Sequence, residues 1–296
     1  MKLLVIFNPK AAHGRSVKQL AKIKAKFERL CIEVEYLPTQ SPGHGVALVA
    51  AADLSRYDGI VAAGGDGTIF EVLNGLYQHP AQARIPLGLL PIGTGNAFAR
   101  DLGLQPSDWS EAIDLLHRGQ TRQVDVGRVN SADGSYYFLN IVGMGFSVHV
   151  AESAHKLKFL GNAAYTLATL WKMLALKSYP LVLELDGKVI DCDNVFVTIS
   201  NTRYTGTHFM IAPQAEIDDG QLLVTLLEPL PRRRLLKLFP TIYSGRHINY
   251  KEVSTYKAAS IKILSPAGMQ LAPDGEFMGK SPAEVTCLPR SLSIFM

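Results

Sequence analysis

Three polar loops, each following a short apolar run and preceding a helical stretch, restrict the amino-terminal part of this chain to a strand–helix alternation. Residues 3–7 form a continuous apolar run, as in a parallel strand buried on both faces, and lead into Asn8-Pro9-Lys10-Ala11-Ala12-His13-Gly14. Residues 59–63 lead into Gly64-Gly65-Asp66-Gly67-Thr68, and residues 87–90 into Pro91-Ile92-Gly93-Thr94-Gly95-Asn96. Residues 32–37 read as a further strand, with helices at 46–54 and 69–77. Ser16 and Gln19 have the spacing of a capping box, and Val17, Leu20, Ile23, Phe27 and Leu30 fall on one helical face. This order predicts an α/β fold: an open, mostly parallel sheet with flanking helices and a ligand site at the carboxyl ends of its strands.

After Arg122 the pattern changes. Residues 124–129, 136–142, 181–185, 189–201, 222–226 and 261–264 are strand-like, and Asp186-Gly187 is a hairpin-type turn. One long helical segment, 152–176, interrupts them. The expectation is an α/β domain over 1–121 and a mainly antiparallel β domain over 122–296, with room for the last strand to pack back on the first domain.

Glycines let the backbone approach an anion closely, and amide N–H groups at a helix start favour phosphate. Thr68 and Glu71 read as a capping box opening the helix after the second loop. Asp66 would be repelled by bare phosphate, which calls for a bridging cation such as Mg²⁺. Each loop alone is also an ordinary tight turn; one nucleotide accounts for all three. Neither the P-loop nor the dinucleotide G-x-G-x-x-G spacing is present.

Asn8-Pro9, Gly64-Gly65-Asp66-Gly67-Thr68 and Pro91-x-Gly-Thr-Gly-Asn resemble the diacylglycerol kinase catalytic family, which includes sphingosine kinases and bacterial lipid kinases. The run from Ala212 to Leu222 and the triplet Asp274-Gly275-Glu276 extend the resemblance over the chain. It implies a first domain like those of NAD kinases and phosphofructokinases, which share GGDGT. It also implies an ATP-dependent kinase acting on the hydroxyl of a membrane lipid such as diacylglycerol. Carried over by position, Asn8, Thr39, Gly65, Asp66, Gly67, Thr68, Ile69, Phe70, Glu71 and Thr94 would bind ATP. Asp219 would hold Mg²⁺ by its side chain, with Glu216 and Gln221 contributing backbone carbonyls, and Glu276 and Asp66 would be catalytic, Glu276 as the base and Asp66 beside the phosphates. Phe70 stands where the family often has Asn, and Pro273 precedes the triplet. Two other readings stay open: a kinase of a soluble substrate such as NAD, and a nucleotide- or lipid-binding regulator without catalysis.

Bulk properties exclude several classes. A net charge of +4 gives no footprint for nucleic acid. Cys31, Cys192 and Cys287 are odd in number and widely spaced, which suits reduced thiols in the cytoplasm rather than a disulfide frame or zinc site. No signal peptide or transmembrane helix is read, so a lipid substrate implies a protein visiting the inner face of the membrane peripherally. Residues 221–273 hold eight Lys/Arg against two Glu, with Arg232-Arg233-Arg234 and Lys237 among apolar residues; a basic amphipathic surface for anionic lipid and an ordinary solvated helix both fit. Leu157, Phe159, Leu160, Tyr165, Leu167, Leu170 and Trp171 could line an acyl-chain cleft or be ordinary core, and a homodimer is left open.

Overall fold

The computed structural model describes residues 1–80, 85–105, 108–145, 148, 178–206 and 208–296. The helical segment expected at 152–176, with its candidate acyl-chain residues, lies outside the described residues. Along the chain run β1 (Lys2–Phe7), α1 (Arg15–Arg29), β2 (Glu33–Pro38), α2 (His44–Ala51), β3 (Gly59–Gly64), α3 (Asp66–Tyr77), β4 (Leu87–Pro91), α4 (Ala97–Asp101), α5 (Trp109–Arg118) and β5 (Thr121–Ser131). They are followed by β6 (Gly134–Phe138), β7 (Ile141–Gly145), β8 (Tyr179–Leu185), β9 (Lys188–Asn194), β10 (Phe196–Ser200), β11 (Tyr204–Thr205), β12 (Phe209–Met210) and β13 (Leu222–Leu227). The chain closes with α6 (Arg232–Leu238), β14 (Val253–Ala258), β15 (Ser260–Ser265), β16 (Leu271–Pro273) and β17 (Ala283–Phe295).

The first compact unit comprises Met1–Val126, Tyr204–Thr207 and Pro289–Met296. Its sheet runs β2-β1-β3-β4 with every neighbour parallel, and the end of β17 joins β4 in parallel, Ile294 opposite Leu87. Leu3, Leu4, Val5 and Ile6 in β1 and Ile60 and Val61 in β3 are fully buried, as a strand covered on both faces requires. Because the strands are parallel, β1, β3 and β4 end on the same rim, and that rim carries the three polar loops.

The structure departs from two local expectations. Helix α1 starts at Arg15 with Gly14 in a left-handed conformation as its cap, and Ser16 caps nothing. Its hydroxyl instead donates to the carbonyls of Asn8 and Pro9, both at 3.0 Å, and fixes the first loop. Val17 is 52% exposed rather than on the buried face, which Ile23, Lys26 and Phe27 form. Lys26 reaches that position because its ammonium ends on Asp114 and Ser110 of α5.

The second unit comprises Gly127–Arg203 and His208–Leu288. One antiparallel sheet orders β14-β13-β10-β7-β16. A second set pairs the start of β17 with β15, β15 with β8 and β8 with β9, again antiparallel. Val142, Met144, Val197, Ile199, Val224 and Leu226 of the first sheet and Leu181, Leu183, Ile261, Ile263 and Val285 of the second share one apolar core. The alternation of strand residues supplies that face at every second position. The run 189–201, read as one strand, is two: β9 pairs in one sheet and β10 in the other, the change coming at Val195. Residues 136–142 are likewise divided between β6 and β7.

Candidate active-site residues

The first unit brings its loops into direct contact. Asn8 donates from its side-chain amide to the Thr68 hydroxyl at 3.2 Å, and its own side-chain oxygen accepts the Lys10 amide at 2.9 Å. The loop after β1 is thereby tied to the loop after β3. The loops after β3 and β4 touch backbone to backbone: a Cβ on Gly93 would lie 2.3 Å from the Gly65 Cα, so only glycine fits. Asn96, at φ +54°, turns the chain into α4 and donates to the Gly93 carbonyl at 3.0 Å.

Asp66 fastens the same pair of loops. One carboxylate oxygen accepts the Phe98 amide at 3.4 Å. Burial pushes its carboxyl up to about 6, while the amides of Phe98, Ala97 and Asn96 act to lower it. A carboxylate seated this way anchors the start of α4. Helix α3 begins at Asp66 rather than behind a Thr68–Glu71 capping box, because Gly65 is already its cap. Glu71 serves another helix: its two carboxylate oxygens accept the Gly43 and Gly45 amides at 2.8 and 2.7 Å, at the start of α2. Charge-assisted bonds of this kind contribute about 1.5–3 kcal/mol each.

The remaining expected nucleotide residues fall into three settings. Gly65, the cap of α3, and Gly67, its second residue, are partly exposed, and Thr94 is exposed. Thr39 is buried and bonded through its amide to the Phe7 carbonyl at 2.8 Å, just beyond β2. Ile69 and Phe70 are 3% exposed, so their side chains belong to the core and only their backbone is available to a ligand.

In the second unit, Asp274 sits at φ +48° and accepts the amides of Leu139, Asn140 and Ile141 at 3.0, 2.8 and 3.0 Å. The carboxylate thus locks the turn after β16 onto the β6–β7 connection, and Gly275 at φ +87° completes it. Glu276, held through its amide to the Pro273 carbonyl at 2.9 Å, is partly exposed on a rigid turn.

Asp219 lies in a turn closed by the Gln221 amide donating to its side chain at 3.0 Å. Its other oxygen accepts Lys257 Nζ at 2.6 Å, and the same ammonium reaches Glu216 at 3.1 Å. Hydrogen bonding to Asp219 is the chief cause that holds the Lys257 ammonium above the ordinary lysine range. Mg²⁺ demands a near-octahedral set of oxygens, and here an ammonium stands against the only carboxylate the expected set would supply. The residues as placed do not fit a divalent ion. Among the described residues, no group of three or more His, Cys, Asp or Glu is arranged to hold a metal. Lys257→Met is expected to bind Mn²⁺, followed by electron paramagnetic resonance without nucleotide, more tightly than the unaltered protein; equal affinities would show that the lysine does not guard this turn.

Sequence reasoning missed Lys257, because its partners lie 38 and 41 positions away. It also missed the capping of α2 by Glu71. Lys257 carried one signal, the one charged side chain of β14, at an exposed position.

Residues 2–129 match the family model described as the diacylglycerol kinase catalytic domain, and residues 140–296 match the YegS C-terminal NAD kinase beta sandwich-like domain. A diacylglycerol kinase of Mycobacterium tuberculosis is 32% identical over 99% of this chain and 94% of its own length. One of Bacillus subtilis is 33% identical over 99% and 95%. A crystal structure of a diacylglycerol kinase from Bacillus anthracis superposes with a TM-score of 0.79 at 28% identity, covering 99% of this chain and 96% of that one.

Proposed function

The chain belongs to the diacylglycerol kinase catalytic family, and from that premise we propose that it transfers the γ-phosphoryl group of ATP to the hydroxyl of a membrane lipid such as diacylglycerol. The observation that carries the reading is the close junction of the loops after β1, β3 and β4 on one sheet rim. Phosphoryl transfer needs positioning and charge stabilisation more than covalent chemistry from the protein. Backbone amides around Gly65, Gly67, Thr68 and Thr94 cradle phosphate, with Asn8 and Thr39 at the neighbouring strand ends. Asp66 keeps those loops in shape, Glu71 fixes the start of α2, and Ile69 and Phe70 pack behind them.

Glu276 accepts the proton of the lipid hydroxyl. The hydroxyl oxygen forms its bond to the γ-phosphorus as the bond from phosphorus to the bridging oxygen breaks, and ADP leaves with that electron pair. The proton passes from Glu276 to solvent. Magnesium carried by ATP would offset charge on its phosphates, and no step passes through the Asp219 turn.

No helix among the described residues is long and apolar enough to cross a membrane. The protein is read as cytoplasmic, reaching its substrate at the inner membrane face. Release of ADP from ATP should rise when diacylglycerol is supplied in mixed micelles and stay at its basal rate when NAD is supplied. Stimulation by NAD alone would favour the soluble-substrate reading, and indifference to both would favour the regulator.

A further inference from the structure

Helix α6 and the 3₁₀ turn after it, Phe239–Ser244, present two unlike faces. Leu235, Leu238 and Phe239 are buried and pack with Val195 and Leu227. The other face carries Arg232, Arg233, Leu236 and Lys237, all exposed and spaced three or four residues apart across the two pairs. Arg234 is not part of it: its guanidinium is taken by Glu252 at 2.6 and 3.3 Å. Residues 229–251 contain no acidic side chain, so Arg232, Arg233, Lys237 and the nearby Arg246 form a run of cations with no carboxylate among them.

Charge alone would describe a solvated helix. The apolar residues among the cations do not suit that reading: Leu236 is 45% exposed and Tyr243 44% exposed. Tyr243 stands on an aromatic base, its ring centroid 5.0 Å from Phe209 and 6.2 Å from Phe239, so it is presented rigidly. A tyrosine ring with one apolar and one polar end is suited to the headgroup layer of a bilayer, and basic residues beside it attract anionic lipid. Nucleic acid or an acidic protein would use the cations but would not require exposed leucine.

We propose that α6 and the following turn dock this protein on an anionic lipid surface, with Arg232, Arg233 and Lys237 on headgroups and Leu236 and Tyr243 in the interfacial layer. The choice of occupant rests on the lipid-kinase reading, whereas the test needs no phosphoryl transfer.

The full chain is sedimented with vesicles of phosphatidylglycerol and phosphatidylcholine, or of phosphatidylcholine alone, at low and raised salt. Binding is expected only with the anionic lipid, and salt should weaken it. Arg232→Gln/Arg233→Gln/Lys237→Gln should lower the binding constant roughly tenfold or more. Tyr243→Trp should shift its emission to the blue when anionic vesicles are added. Unchanged binding by the triple variant, equal binding to neutral vesicles, or no emission shift would each overturn the proposal. Turnover of a water-soluble short-chain diacylglycerol should be the same in the triple variant and the unaltered protein. If no lipid is phosphorylated while vesicle binding behaves as expected, docking stands and the kinase reading falls.

Discussion

Asp66→Ala is expected to lower ATP-dependent turnover on the order of 10³-fold, the usual scale for removing a fixed electrostatic group at a transferring centre. The structure gives this effect a positional cause. Without the carboxylate, the Phe98 amide loses its acceptor at the start of α4, and the loop carrying Thr94 is no longer fixed against Gly65. Asp66 also makes stability depend on pH. The folded protein holds the Asp66 proton more tightly than an unfolded chain does, with the pKa raised from 3.8 to about 6 by burial. Its contribution to stability is therefore fully present below the lower value and is lost as pH rises through the upper one. Asp66→Asn should remove this downward step. Urea unfolding across that window, set beside steady-state kinetics, separates the two effects. Near-normal turnover by a folded Asp66→Ala protein would remove Asp66 from the account.

Glu276→Gln should leave ATP affinity close to its original value while turnover falls roughly 10²-fold or more, the worth of a positioned general base. The substitution keeps the side-chain size and the turn, since the Pro273 bond is made by the backbone and Asp274 keeps its three amides. A parallel loss of ATP binding would make Glu276 a nucleotide-positioning residue. Full turnover would rule it out as the base. Asp274→Ala makes a useful contrast, because it should unseat the turn itself and lower stability as well as activity.

The parts of this molecule that were legible in the sequence are those governed by short-range chemistry. The apolar run at Leu3 to Phe7 read as a buried strand, and the glycines at 65 and 93 stand where two loop backbones meet closely. What escaped reading depends on partners far along the chain. Glu71 has the spacing to cap its own helix, yet its oxygens find the amides of Gly43 and Gly45 once α2 and α3 pack. Asp274 looks like a turn former, and nothing local reveals that it holds amides 133 to 135 residues away. Periodicity could not divide 189–201 either, because a strand that crosses from one sheet to another keeps the same alternation. Asp66 was read as a loop residue, whereas the fold makes it the first residue of α3 and turns it toward α4.

Following the γ-phosphoryl group itself decides whether this chain phosphorylates a lipid. Purified protein is incubated with ATP labelled at the γ-position and with diacylglycerol in mixed micelles, and the organic phase is counted after extraction. Label is expected in a phosphorylated lipid and none in NAD supplied in parallel, with Glu276→Gln reducing the lipid product in step with its turnover. A folded, ATP-binding protein that labels no lipid in any micelle, or that labels NAD instead, would contradict the lipid-kinase reading.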